Sequence, residues 1–413
     1  MPYWQQLFST GHVDAEGNPN ITTSQESAIV SILSAGTFFG ALFSPLLSDY
    51  IGRRMGLMIS TWVFNLGVVL HTIATSIPLF LAGRFFAGLG VGLISAMNNA
   101  EQAAKSLSRL RRLPTDHQAI VAELAEVHAN HEFEMRMGQG SYLDCFKPPI
   151  LKRQLTGMAL QALQQLTGIN FIFYYGTKYF ENSGVSSGFT VSMITSAINV
   201  ASTIPGMYAV DKWGRRPLLL WGAIGMCISQ LIVAVSGTVS SGQHENGEIF
   251  VKSLGGQRAA VSFVCIYIFF FASTWGPLAW VVTGEIFPLK TRAKSLSITT
   301  ATNWLLNWAI AYSTPYLVNY GEGYANLQSK IFFVWFGACF ICIIFVWLMI
   351  YETKGLSLEE VDQLYEEVRD ARKSSQWKPT PSWDNDTKKQ GNDIALGEVE
   401  HTAAEGPPQP DRH

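Results

Sequence analysis

Leu160-Gln161-Ala162-Leu163-Gln164-Gln165-Leu166-Thr167-Gly168-Ile169-Asn170-Phe171-Ile172-Phe173-Tyr174-Tyr175 is apolar on both flanks, yet it holds three glutamines, an asparagine and two tyrosines. Gln161, Gln164 and Gln165 stand at i, i+3 and i+4, so a helix puts them on one face. Asn170 falls nearly opposite Gln161 on a regular helical wheel. Either it faces elsewhere, or the helix loosens at Thr167-Gly168, where glycine permits it. Amides this dense in an apolar segment require partners.

The composition sets the solvent. The chain has 413 residues, 48% of them hydrophobic and only 15% charged. That charge content is low for a water-soluble domain. The net charge of −2 gives no bulk attraction to nucleic acid. The five cysteines, Cys145, Cys227, Cys265, Cys339 and Cys342, show no paired spacing, so neither a disulfide framework nor a metal site is expected. Apolar segments long enough to cross a bilayer, roughly 20 residues each, fall at about 29–48, 55–75, 78–97, 155–177, 186–210, 217–237, 259–284, 295–318 and 330–351. No secretory signal is expected before the first.

Positive charge orients these nine segments. Arg53, Arg54, Lys105, Arg109, Arg111, Arg112, Arg136, Lys147, Lys152, Arg153, Lys212, Arg215, Arg216, Lys290, Arg292 and Lys294 fall in alternate connections. The opposite connections hold only Lys178, Lys252, Arg258 and Lys330. The first set is expected in the cytoplasm, with the amino terminus outside and the carboxyl terminus inside. The sequon Asn20-Ile21-Thr22 then lies outside, making Asn20 a candidate glycosylation site.

Two connections repeat one pattern. Asp49-Tyr50-Ile51-Gly52-Arg53-Arg54 joins the first two segments, and Asp211-Lys212-Trp213-Gly214-Arg215-Arg216 joins the fifth and sixth. The glycine suits a tight turn and the aspartate can cap a helix or pair with arginine. Ordinary positive-inside loops need arginine but not the whole spaced pattern twice. A parallel repeat of this kind marks a two-bundle transporter.

With these turns, the glutamine-rich stretch, Gly83-Arg84-Phe85-Phe86-Ala87-Gly88-Leu89-Gly90-Val91-Gly92, Gly276-Pro277-Leu278-Ala279-Trp280, Glu285-Ile286-Phe287-Pro288, Asn303-Trp304 and Glu352-Thr353-Lys354-Gly355, the chain resembles a sugar porter of the major facilitator superfamily, close to fungal hexose transporters. Tyr351 stands where the family's last motif has proline. The resemblance covers about 1–365 and implies an all-α polytopic membrane protein of the major facilitator fold. Family members have twelve helices, and the matching motifs leave out the family's first, fifth and sixth. The expected layout is an extracellular segment 1–28, a truncated N-terminal bundle 29–97, a cytoplasmic helical linker 98–153, a complete six-helix C-terminal bundle 154–351 and a mostly disordered cytoplasmic tail 352–413.

A sugar presents many hydroxyls on a ring with apolar faces. Amides meet hydroxyls without a charge to desolvate, and aromatic rings cover the faces. By resemblance, Gln161, Gln164, Gln165, Asn170, Asn199, Asn303 and Asn307 line a monosaccharide pocket, with Trp280 as aromatic wall. The plain alternative for each amide is an interhelical hydrogen bond serving packing. Also by resemblance, Asp211, Arg215, Arg216, Glu285, Arg292 and Glu352 form an inner-gate charge network, mirrored by Asp49, Arg53, Arg54 and Arg84. Arg84 lies within a spanning segment, where an ion is costly unless paired, and is expected to be under-satisfied. The Gly36-x-x-x-Gly40 and Gly88-x-x-x-Gly92 spacings suit close helix contact.

No Asp or Glu lies near the middle of a segment, so proton symport and facilitated diffusion both stay open. No cofactor, metal ligand set or nucleophile–base pair is present in the pattern, and enzyme activity is not expected. The resemblance implies a monomeric multi-pass protein of the plasma membrane that moves a hexose such as glucose by alternating access. The alternative is a transport-incompetent truncated product or a sensor-like relative that binds sugar.

Overall fold

A computed structural model of the protein describes residue 9 and residues 21–95, 141–182, 188–243, 249–288, 290–319, 324–356 and 358–378. Asn20, the linker as far as residue 140, the tail beyond 378 and the side chains of Asp49, Arg53 and Arg54 lie outside the described residues.

The described residues are helical almost throughout. Helices α1 (Thr23–Ile51), α2 (Arg53–Thr72) and α3 (Ile77–Ser95) form the first group. A second group holds α4 (Ile150–Leu166), α5 (Ile169–Asn182), α6 (Gly188–Trp213), α7 (Arg215–Ser240), α8 (Leu254–Phe270), α9 (Gly276–Glu285), α10 (Arg292–Val318) and α11 (Ile331–Met349), followed by the short α12 (Leu358–Glu367). Among the described residues, six helical stretches are long and apolar enough to cross a membrane: those of α1, α2, α3, α7, α8 with α9, and α11. The other three expected segments are helical too, but α4 and α5 are individually short, and α6 and α10 are rich in Ser, Thr and Asn.

α1 starts a turn earlier than apolarity alone indicates. Thr22 Oγ1 accepts from Gln25 N–H while Gln25 Oε1 accepts from Thr22 N–H, a reciprocal cap that ties down the polar first turn. The repeated turns share one conformation. Gly52 has φ 84° and Gly214 φ 95°, each ending one helix and starting the next without side-chain capping from the glycine.

The two small-residue motifs pack on each other. A Cβ on Gly40 would lie 2.3 Å from the Leu89 carbonyl, and one on Gly92 2.3 Å from that of Thr37. α1 and α3 are therefore in backbone contact, and α1 also packs along α10 of the second group. The first group has only a small apolar cluster, Ile29, Ala74 and Phe80. The second has a continuous core that includes Leu219, Met226, Tyr267, Trp275, Phe332 and Trp335. Along α2 and at its C-cap, Met55, Met58, Trp62, Leu66, Val69 and Ile73 are exposed at helical spacing, the stripe that a helix presents to lipid.

Two expected helices are broken. The segment read as 155–177 divides at Thr167-Gly168, and that read as 259–284 passes through a π turn at Phe271–Trp275. Pro277 accounts for the second break, since it offers no N–H and crowds the preceding turn. A two-stranded hairpin, with Ser241 paired to Val251 and Gln243 to Ile249, joins α7 to α8 and has no counterpart in the sequence reading.

Candidate functional site

The helix break organises the amides. Gly168 adopts φ 87°, and the carbonyl that the break frees at Thr167 accepts from Tyr267 Oη at 2.9 Å and Gln230 Nε2 at 3.2 Å. Thr167 Oγ1 donates to the Gln164 carbonyl at 2.7 Å. After the break Asn170 turns back, and its Nδ2 donates to Gln165 Oε1. Loosening at Gly168 thus resolves the conflict between Asn170 and the glutamine face.

Asn303 on α10 is the hub. Its Nδ2 donates to Gln161 Oε1 at 2.7 Å and to Gln164 Oε1 at 2.8 Å, while its Oδ1 accepts from Gln165 Nε2 at 2.9 Å. One turn on, Asn307 Nδ2 donates to Gln165 Oε1 at 3.3 Å. Asn307 Oδ1 accepts from Tyr174 Oη at 3.3 Å and from Ser34 Oγ at 2.7 Å. The last bond crosses to α1, so the network spans both helix groups. Gln164 Nε2 reaches the carbonyls of Trp275 at 2.9 Å and Gly276 at 3.0 Å. Both carbonyls lie where the π turn ends and α9 starts. Gln161, Gln164, Gln165, Asn303 and Asn307 are 0–7% exposed. The result is a buried, uncharged cluster of donors and acceptors at the junction of the two groups.

Asn199 and Trp280 are placed differently. Asn199 is half-buried on α6 and makes no side-chain hydrogen bond with a described residue. Trp280 is 41% exposed, one residue after Ala279, whose carbonyl accepts from Gln161 Nε2. The buried aromatic behind the cluster is Trp275, whose Nε1–H donates to the Leu219 carbonyl at 3.0 Å. Sequence reasoning missed Ser34, Tyr174 and Trp275. Only Tyr174 carried a signal, four residues after Asn170.

The charge network is narrower than the resemblance implies. Arg215 Nη2 and Nε donate to the two oxygens of Glu285 at 2.8 and 3.3 Å, and Thr353 Oγ1 donates to Glu285 at 2.6 Å. Glu352 accepts from the backbone N–H groups of Arg215 and Arg216 at 3.0 and 3.1 Å. Its carboxylate thus caps the positive end of α7. Arg292 donates to the Gly284 carbonyl at 2.7 Å and Arg216 to that of Trp347 at 3.0 Å, each leaving its Nε unpartnered. Asp211 is exposed and pairs with no described residue.

Arg84 does not belong with Asp49, Arg53 and Arg54. A Cβ on its neighbour Gly83 would lie 2.4 Å from His71 N, so Arg84 is level with the far end of α2. Eighteen residues separate Arg53 from His71, a helical rise of about 27 Å. The Arg84 guanidinium lies 6.0 Å from the Phe80 ring centroid, its Nε has no hydrogen-bond partner, and it forms no ion pair with a described residue. Arg84→Met is expected to leave the folded yield equal or higher, since it removes an uncompensated cation. Arg84→Glu is expected to lower it. Fluorescence-detected size exclusion measures both, and a drop with methionine means that the guanidinium is satisfied.

Residues 3–98 and 96–365 match the Sugar_tr family, described as sugar (and other) transporter. The chain belongs to the sugar transporter family. It is thus a multi-pass membrane transporter rather than an enzyme. The two matched stretches meet at residues 96–98, where the sequence reading ends one helix and starts the linker. The chain is 55% identical to the major facilitator-type transporter ecdD of Aspergillus rugulosus, over 92% of this chain and 85% of that protein. That alignment runs for 458 positions, whereas 92% of 413 residues is about 380, so at least about 78 positions of the relative face gaps here. The chain is 40% identical to the "Probable glucose transporter rco-3" of Neurospora crassa, over 93% of this chain and 77% of that protein. The proton:xylose symporter XylE, solved with 6-bromo-6-deoxy-D-glucose, superposes with a TM-score of 0.61 at 22% identity, covering 83% of this chain and 89% of that one. This likeness establishes the major facilitator fold.

Proposed function

We propose that this chain carries a neutral monosaccharide of the hexose class across a membrane by alternating access. The amide cluster at the junction of the helix groups supports this most directly. Its members are uncharged, interlocked and buried, so a ligand must offer hydroxyls that replace the bonds they make to one another. The glucose transporter among the relatives points to the same substrate class. Trp280 and Asn170, both partly exposed, are the residues that meet the sugar first. The pH dependence of uptake distinguishes proton symport from facilitated diffusion.

Uptake of labelled glucose in a cell lacking its own hexose carriers tests the reading. Saturable uptake supports it. Glucose binding by the purified protein without uptake instead marks a sugar-binding, transport-incompetent relative, which the gaps against ecdD favour as the second reading.

In the proposed cycle the Arg215–Glu285 pair holds the cytoplasmic side closed. Its side chains are 14% and 25% exposed. Glu285→Gln is expected to change thermal stability by only about 0–1 kcal/mol, as for a solvent-touched pair. Uptake is expected to fall several-fold because the closed state loses its clamp. Unchanged uptake removes the pair from the gate.

A further inference from the structure

A second site lies away from the amides, where the base of α4 meets the segment after α11. Pro149, Lys152, Arg153, Tyr365, Glu366 and Arg369 line a cavity of about 570 Å³. That volume falls in the range of ligand sites, roughly 300–1,000 Å³. Lys152, Glu366 and Arg369 are exposed, so the cavity is reachable from solution.

Its walls are fixed by bonds that do not consume its charge. Arg153 is 4% exposed and is neutralised by Asp362, whose carboxylate and carbonyl it contacts. Its guanidinium also lies 4.6 Å from the Tyr365 ring centroid. Lys152 Nζ donates to Tyr351 Oη at 2.7 Å and to the Arg369 carbonyl at 3.2 Å, both uncharged acceptors. Tyr351 Oη donates in turn to the carbonyls of Val368 and Arg369, each at 3.0 Å. Tyr351 thus holds Lys152 and the Arg369 backbone together at the cavity wall. Neither Lys152 nor Arg369 forms an ion pair with a described residue, and the Arg369 guanidinium makes no hydrogen bond with one. With Arg153 matched by Asp362, the lining retains two cations against Glu366.

We propose that this cavity binds a multiply charged phosphate group on a polyol ring, an inositol phosphate, borne by a lipid or free. A fork of guanidinium donors beside a rotatable ammonium suits phosphate oxygens better than a single carboxylate. The volume leaves room for the ring. Basic pockets at the base of membrane helices take lipid headgroups of this chemistry. The site joins α4, which carries Gln161, to the docked α12, so an occupant would hold the two together.

The purified full-length protein in detergent is titrated with dioctanoyl phosphatidylinositol 4,5-bisphosphate, with inositol hexakisphosphate and with dioctanoyl phosphatidylcholine, and binding is read by thermophoresis. Saturable binding of an inositol phosphate probe, weakened at least tenfold by Arg369→Gln and further by Lys152→Gln/Arg369→Gln, supports the site. Binding of the lipid alone identifies a bilayer headgroup, and binding of both shows that the free anion suffices. Arg369 is exposed and its side chain bonds to no described residue, so its variant keeps the fold. Absence of saturable binding, equal binding of phosphatidylcholine, or unchanged affinity in Arg369→Gln overturns the proposal. Sugar uptake plays no part in this readout, so its outcome is independent of the transport reading.

Discussion

Gly168→Ala is expected to cost about 2–5 kcal/mol of stability, although it adds one methyl group. Two terms act together. The residue holds φ 87°, a left-handed conformation that costs a residue with a Cβ roughly 1–2 kcal/mol. An added Cβ would also lie 2.5 Å from Trp335 Cγ. Trp335 is 5% exposed in the continuous core, so the ring has little room to retreat. Overpacking of this kind costs about 1–3 kcal/mol. Together these approach the lower part of the 5–15 kcal/mol that typically separates folded from unfolded protein. A melt of the detergent-solubilised protein should fall by several degrees, and monodisperse yield should fall with it. In a double-mutant cycle with Trp335→Leu, the packing share of the Gly168→Ala cost should vanish while the backbone share remains. A single variant that melts within a degree of the parent sinks the argument.

The same glycine shows what a sequence can announce. Gly168, Gly52, Gly214 and the paired glycines of α1 and α3 are local necessities, fixed by a backbone angle or an approach distance. Each leaves a mark at its own position, and the sequence marked all of them. The amides were legible for a similar reason, because a glutamine in an apolar helix is an imbalance that needs a partner.

What the sequence hid is three-dimensional. Trp275 looks like any core aromatic until the π turn aims its carbonyl at Gln164. Arg84 shares a positive sign with Arg53 and Arg54, and only the antiparallel run of α2 and α3 puts a helix length between them. Glu352 reads as one more acid in a charged motif, but its task is to cap α7 through backbone N–H groups. Asn199 matches the other amides in type, yet its half-buried side chain makes no hydrogen bond with any of them.

That last difference separates two amides of equal appearance. Asn303→Leu is expected to weaken glucose binding at least a hundredfold, while Asn199→Leu changes it by no more than about threefold. Leucine at 303 removes the donor to Gln161 and Gln164 and the acceptor for Gln165 in one step. All three glutamines are at most 7% exposed, so water cannot simply replace the lost partner. Each orphaned group costs about 1–3 kcal/mol, and a hundredfold change in affinity corresponds to about 2.7 kcal/mol. Part of the cost will appear as lower thermal stability, because the glutamines are unpaired without sugar too. Because stabilisation by a ligand grows as RT ln(1 + [L]/Kd), glucose should raise the melting temperature of Asn303→Leu less than that of the parent at equal concentration. Asn303→Gln keeps both amide functions on a longer arm and should retain more affinity than leucine does. Calorimetric titration of the purified variants decides the matter. If Asn199→Leu abolishes binding and Asn303→Leu spares it, the sugar site lies on α6, and the interlocked amides are packing bonds between helices.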